Sequence, residues 1–267
     1  MLKSFSRFFF SSASWICIVN LLGTQANAQQ YNSDSWLSKK HGTVTIIPTY
    51  GERNSMLMTT FSLFPKWEFT AALYAYNDDG DQLTDDGHSG SIYAKYMFYE
   101  NKAATGGAAV KFGTGMFPGT IGAEDRTNDA FQTYWINFPA TIPFFNNKLS
   151  WDIMPGASMT RNYGSGEDNA WAFTYSTRLA WYPFDDKWSA VGEVFGTEGE
   201  LVAIPEYKIG VRWDASQYAV LALTYGQEFN GRNGAGFEFG IMLFSPPFAC
   251  LKGCDYVKPK KKKKIKY

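Results

Sequence analysis

Two stretches, Leu149–Thr160 (LSWDIMPGASMT) and Trp171–Tyr182 (WAFTYSTRLAWY), decide how the rest of the chain is read. In the second, Trp171, Phe173, Tyr175, Thr177, Leu179 and Trp181 alternate with Ala172, Thr174, Ser176, Arg178, Ala180 and Tyr182. In the first, Leu149, Trp151, Ile153, Pro155, Ala157 and Met159 alternate with Ser150, Asp152, Met154, Gly156, Ser158 and Thr160. Side chains leave a strand on opposite faces in turn, so each stretch has one apolar face and one small or polar face with a single charge. Each is also about the 9–11 residues that take a tilted strand across a bilayer. Apolar residues toward lipid and polar residues toward a lumen is the pattern of a transmembrane β-barrel.

The same alternation recurs at hairpin spacing on either side. It predicts strands over Thr43–Tyr50, Ser55–Leu63, Trp67–Asn77, Ser91–Glu100, Gly107–Phe117, Ala130–Phe138, Leu149–Thr160, Trp171–Tyr182, Trp188–Gly196, Tyr207–Trp213, Tyr218–Phe229 and Gly236–Phe244. The expected fold is all-β, a transmembrane antiparallel up-and-down β-barrel of about twelve strands, an even number as in single-chain bacterial barrels. Connections near Pro65, Asn101, Asp185 and Ser216 are short, with Pro139–Lys148 the exception on that side. The alternate connections Asp78–Gly90, Pro118–Asp129, Asn162–Asn169 and Thr197–Glu206 are longer and rich in Gly, Asp, Glu and Asn. Short periplasmic turns and longer outer loops fit this phase. Regular turns also suit a soluble sandwich, but Trp67, Trp135, Trp151, Trp181, Trp188 and Trp213 all fall at strand ends beside the short connections. Indole rings prefer the headgroup level, which makes these six an expected interface girdle. Pro48 and Pro155 each remove a ladder donor, so bulges are expected there. Ala130–Phe138 alternates poorly, and its facing stays open.

The termini are compositionally separate. Lys3 and Arg7 precede the largely apolar Phe8–Leu22, and Ala26-Asn27-Ala28 has the form of a cleavage site. Residues 1–28 therefore read as a signal peptide, 29–42 as a periplasmic lead-in, 43–248 as the barrel and 249–267 as a Cys-containing, Lys-rich periplasmic tail. No apolar run beyond the N-terminus approaches the roughly 20 residues of a membrane helix. Export followed by strands points to the outer membrane of a Gram-negative bacterium. Removing the leader leaves Cys250 and Cys254, an exported pair able to form a local disulfide. A C-x3-C spacing without a nearby histidine points to no metal. Lys258, Lys260 to Lys264 and Lys266 form a basic block suited to anionic lipid headgroups or acidic periplasmic polymers. It lacks a folded, ring-bearing platform for nucleic acid. The formal net charge of zero hides an asymmetry: between leader and tail stand 15 bases against 24 acids.

If apolar positions meet lipid, charged ones take the lumen face: Glu68, Lys95, Lys111, Asp152, Arg178, Glu193, Lys208, Arg212, Glu228 and Glu238. Lys or Arg turned to mid-bilayer would cost roughly 2–4 kcal/mol each. Asp152, Arg178 and Glu193 lie on consecutive strands and are expected to cluster. Two readings stand: pairs that stiffen a narrow closed lumen, or groups that select a solute along a pathway. Asp78, Asp79, Asp81, Asp85 and Asp86 offer hard oxygens to Ca²⁺ but lack EF-hand spacing, so a solvated acidic loop is the ordinary reading. His88 with Ser89 and Ser91 invites a barrel-wall lipid hydrolase, yet nothing fixes a third group, and His41 is the only other histidine. No cofactor is expected.

The strand-turn-strand close within Tyr207–Phe248 (YKIGVRWDASQYAVLALTYGQEFNGRNGAGFEFGIMLF, to Phe244) resembles the end of bacterial outer-membrane barrels. Over Thr43–Phe244 the pattern is similar to the transporter-like family of the MetA pathway of phenol degradation. That resemblance implies an exported barrel passing hydrophobic or aromatic compounds. It brings no catalytic motif and no site residue, and the basic tail and Cys250/Cys254 depart from it. The reading is a non-enzymatic outer-membrane channel for passive passage of small molecules, in contact with lipid and a small solute. The alternative is a structural or adhesion barrel with a closed lumen.

Overall fold

The alternation of large apolar with small or polar residues builds one sheet from end to end. The computed structural model describes residues 41–76, 87–115, 131–161, 169–184, 187–200, 203–231 and 234–247. The leader, nearly all of the lead-in, Cys250, Cys254, the Lys-rich tail, Pro118–Asp129 and the aspartates of Asp78–Gly90 lie outside the described residues. The strands are β1 (Thr43–Gly51), β2 (Asn54–Phe64), β3 (Trp67–Tyr76), β4 (Gly87–Glu100), β5 (Gly107–Gly115), β6 (Thr133–Asn137) and β7 (Ala140–Phe144). They continue with β8 (Leu149–Ile153), β9 (Gly156–Thr160), β10 (Ala170–Trp181), β11 (Trp188–Gly199), β12 (Ala203–Ser216), β13 (Ala219–Glu228) and β14 (Gly236–Phe244). All pairings are antiparallel, and β1 pairs with β14, so the sheet closes on itself. At that seam Val44 N donates to Ser245 Oγ at 2.8 Å and Ser245 N to Val44 O at 2.8 Å.

Fourteen segments make twelve staves. β6 and β7 are parted only by Phe138-Pro139, and β8 and β9 only by Met154-Pro155. Asn137↔Gly156 and Ala140↔Ile153 keep one register across both gaps, as do Thr174↔Gly156 and Thr177↔Ile153 toward β10. Each proline costs one ladder bond and no more: Pro155 O still accepts from Phe138 N, and Pro139 O from Ala109 N, both at 2.9 Å. The bulge expected at Pro155 is therefore absent. None occurs at Pro48 either, where Ile46↔Leu243 and Thr49↔Gly240 hold the same register. The register shifts fall near strand ends instead, at Phe61/Phe64, Met97/Tyr99, Phe195/Thr197 and Trp213/Ser216.

Pro139–Lys148 is likewise no long connection. The chain runs on as β7 to Phe144 and reverses through Phe145, Asn146 and Asn147, at φ of 50°, 56° and 68°. Asparagine tolerates that left-handed region better than most side chains, which makes the reversal tight.

Burial follows the pleat. Along β10, Ala170, Ala172, Thr174, Ser176, Arg178 and Ala180 are buried, while Trp171, Phe173, Leu179 and Trp181 are exposed. Leu57, Leu73, Ile92, Phe112, Ile209, Leu223 and Phe239 join the exposed apolar set on other strands. A continuous apolar exterior of this extent has no place on a water-soluble monomer. It is the lipid-facing surface of a transmembrane barrel.

Candidate functional site: the barrel interior

A wall one sheet thick buries side chains only toward its inside. Glu68, Lys95, Lys111, Asp152, Arg178, Glu193, Lys208, Arg212 and Glu238 are all buried, and Glu228 is half-buried. Register sorts most of them into two lateral rows. The first is Asp152, Arg178, Glu193 and Lys208, each directly opposite the next on β8, β10, β11 and β12. Arg178 Nη2 and Nε donate to Asp152 Oδ2 at 2.6 and 2.9 Å, and Thr141 Oγ1 donates to Asp152 Oδ1. Lys208 Nζ lies 2.6 Å from Glu238 Oε2, which also accepts from Thr224 Oγ1 at 3.3 Å. On the same strand as Lys208 and nearer the short turn, Arg212 pairs with Asp214 at 2.8 Å. Signs alternate along this wall, so each charge has an opposite neighbour to offset its desolvation.

The second row runs Glu68, Lys95, Lys111 and Asn137 across β3 to β6. Lys95 Nζ is 2.5 Å from Glu68 Oε2. Lys111, opposite the like-charged Lys95, places its ammonium 4.4 Å from the Tyr93 ring centroid and 5.5 Å from that of Trp135. Ring faces attract a cation by about 0.5–2 kcal/mol. Asn137 Nδ2 reaches past β9 to donate to Thr174 Oγ1 at 2.9 Å. It passes over Gly156, where an added Cβ would fall 1.9 Å from Asn137 Nδ2 and 2.4 Å from Ile136 O. Gly156→Ala is therefore expected to destabilise the barrel by roughly 1–3 kcal/mol through overpacking, read as a lower urea midpoint.

Between the charged rows lies an interior apolar cluster that alternation did not announce. Ile47, Met58, Ala72, Tyr74, Tyr93, Trp135, Met154, Val220 and Met242 are buried in one contact group. Tyr93 OH donates to Met58 Sδ at 3.3 Å. Their signal was positional: Ile47 shares the face of Thr45 and Thr49, and Met154 that of Asp152 and Gly156. Glu206 was also missed, because Thr197–Glu206 read as a loop. β12 starts at Ala203, and Glu206, two residues before Lys208 and on the same face, is buried with Oε1 accepting from Ala235 N at 2.9 Å.

The tryptophans divide. Trp151, Trp181, Trp188 and Trp213 are exposed at the short-turn end, with Trp67 half-buried there. Trp188 and Trp213 are direct partners, stacked at 5.5 Å. Trp135 departs from the expected girdle: it is 4 % exposed, faces inward and packs 5.3 Å from Tyr93. Trp135 shares the inward parity of Asn137 along β6, and the continuation of the chain through Pro139 moves the short turn away from it. The hydrolase constellation does not assemble. His88 is exposed and Ser91 buried, on opposite faces of β4. Among the described residues no cluster of His, Cys, Asp and Glu is arranged to hold a metal.

A cavity of about 20 Å³ at the short-turn end is lined by Thr105, Thr141, Ser150, Asp152, Arg178 and Arg212, among others. It has room for a single water.

No family model matches the chain, and no curated protein matches it. Among solved structures, an outer-membrane channel from Pseudomonas putida F1 is similar at 13% identity and a TM-score of 0.52, over 78% of this chain and 97% of that one. The NanC porin aligns at 7% identity and a TM-score of 0.49, over 76% and 99% of the two chains. The CymD monoaromatic hydrocarbon channel gives 8% identity and a TM-score of 0.36, over 76% of this chain and 86% of that one. At these identities the likeness speaks for the fold. The chain has the closed, antiparallel fold of an outer-membrane β-barrel.

Proposed function

We propose that the protein is a passive outer-membrane channel for small molecules, including solutes with hydrophobic or aromatic bodies. The observation that carries this reading is the charged row Asp152, Arg178, Glu193 and Lys208 set into the interior wall. Burying a charge costs several kcal/mol, and well-packed apolar groups often serve stability as well as or better than a buried ion pair. An interior needed only for rigidity has little use for so many charges; a solute pathway does. The apolar cluster on the neighbouring wall offers a surface to an apolar body, in keeping with the MetA-pathway likeness. The short-turn end, with its tryptophans, would face the periplasm.

Purified protein in planar bilayers is expected to give discrete conductance steps, and proteoliposomes to take up small solutes. Absence of both would remove the channel reading. One observation favours the second reading, a closed structural or adhesion barrel: Ile47 and Met154, on staves half a ring apart, belong to one buried cluster. That reading expects silence in the same recordings.

A further inference from the structure

Along β1 the inward positions are Thr43, Thr45, Ile47 and Thr49, so the wall changes character once and changes back. Thr45 Oγ1 and Thr49 Oγ1 are buried and hydrogen-bond to no protein atom, as is Ser62 Oγ nearer the short-turn end. Asn137 Oδ1 and Ser189 Oγ on other walls are in the same position. Buried groups of this kind take their hydrogen bonds from water. The bore is therefore wet at the level of Thr45 and again at that of Thr49.

Between those levels the inward wall is apolar from β13 to β3, and it ends on β4 at Ser91, opposite Ala72. Val220 stands opposite Met242, Ile47 opposite Met58, and Met58 opposite Ala72. The flanking pairs Ile46↔Leu243 and Thr49↔Gly240 set Met242 beside Ile47. These contacts make one lateral apolar row across β13, β14, β1, β2 and β3. Met154 sits on the stave half a ring away from β1 and belongs to the same buried cluster.

Resting on the channel reading, we propose that Ile47, Met58, Met154, Val220 and Met242 form a dry constriction that holds back hydrated ions and yields to solutes with an apolar body. A narrow apolar ring blocks ions because water leaves it, and an ion cannot follow without its hydration shell. Methionine suits a yielding ring: its unbranched thioether chain moves through several rotamers at little cost and gives a polarisable contact to rings and alkyl groups. From Val220 to Ala72 the row offers an ion no polar side chain to replace the water it would lose.

The test compares the parent with Met154→Ser, Met242→Ser and the apolar control Met242→Leu in planar bilayers with KCl, with sheet content checked by circular dichroism. Both serine variants are expected to raise single-channel conductance roughly threefold or more by wetting the row, and the leucine variant to match the parent. Folded serine variants with the parent's conductance would overturn the constriction. Liposome swelling of the parent in L-phenylalanine reads passage separately. Swelling with unchanged serine variants removes the constriction and leaves the channel; conducting serine variants with a silent parent support it. Silence from every form, with no swelling, removes both.

Discussion

Replacing Arg178 by methionine is expected to lower the stability of the barrel by about 3–5 kcal/mol, the usual consequence of stranding a buried carboxylate. Asp152 is 1 % exposed, and both guanidinium contacts converge on its Oδ2. Without them Thr141 alone satisfies the other oxygen. Replacing Asp152 by leucine in the same chain removes the stranded charge and is expected to restore most of the loss, because two apolar groups of similar size leave nothing unpaired. Reversible urea unfolding in phospholipid vesicles, followed by tryptophan fluorescence, reads both variants. A single variant within about 0.5 kcal/mol of the parent would show that the pair is solvated and the interior more open than its burial implies.

Ile209→Arg is expected to cost about 2–4 kcal/mol in the same assay, against about 0–1 for Leu243→Arg near the rim. Ile209 lies mid-way along β12 and is 55 % exposed, between the buried Lys208 and the small Gly210. On a water-facing surface an arginine there would change stability by less than about 0.5 kcal/mol. The dependence on depth separates the cases, since only hydrocarbon makes the middle of a strand costlier than its end. Equal and small effects at both positions would mean that the apolar exterior is covered by something other than lipid.

Trp171–Tyr182 and Leu149–Thr160 made the barrel legible because period-two alternation survives when one face meets lipid and the other does not. The same logic assigned the charged residues to the inward face, and all of them but the half-buried Glu228 are buried. It failed where a residue type carried a second meaning. Pro139 and Pro155 read as interruptions, yet each lost only one bond from a ladder held on both sides. Gly199 and Pro205 read as loop and hid Glu206, though β12 already begins at Ala203. Apolar positions were assigned outward as a class, which concealed Met58, Val220 and Met242, while Met154 went unremarked on the small or polar face. Their parity placed them with threonines and glycines, but only strand pairing could bring residues so far apart in sequence into one row.

The seam between β1 and β14 has a consequence for assembly. Its side-chain bond joins positions 201 residues apart, so the ring cannot be completed until the last strand of the barrel has been made. Contacts this remote reward the chain only after nearly everything between them is ordered, which makes circularisation a late and slow event. Until then β1 and β13 present bare edges to any other unfinished strand. Gly236–Phe244 acts as the latch of the molecule, and shortening it by a few residues would leave a sticky half-pipe in place of a finished ring.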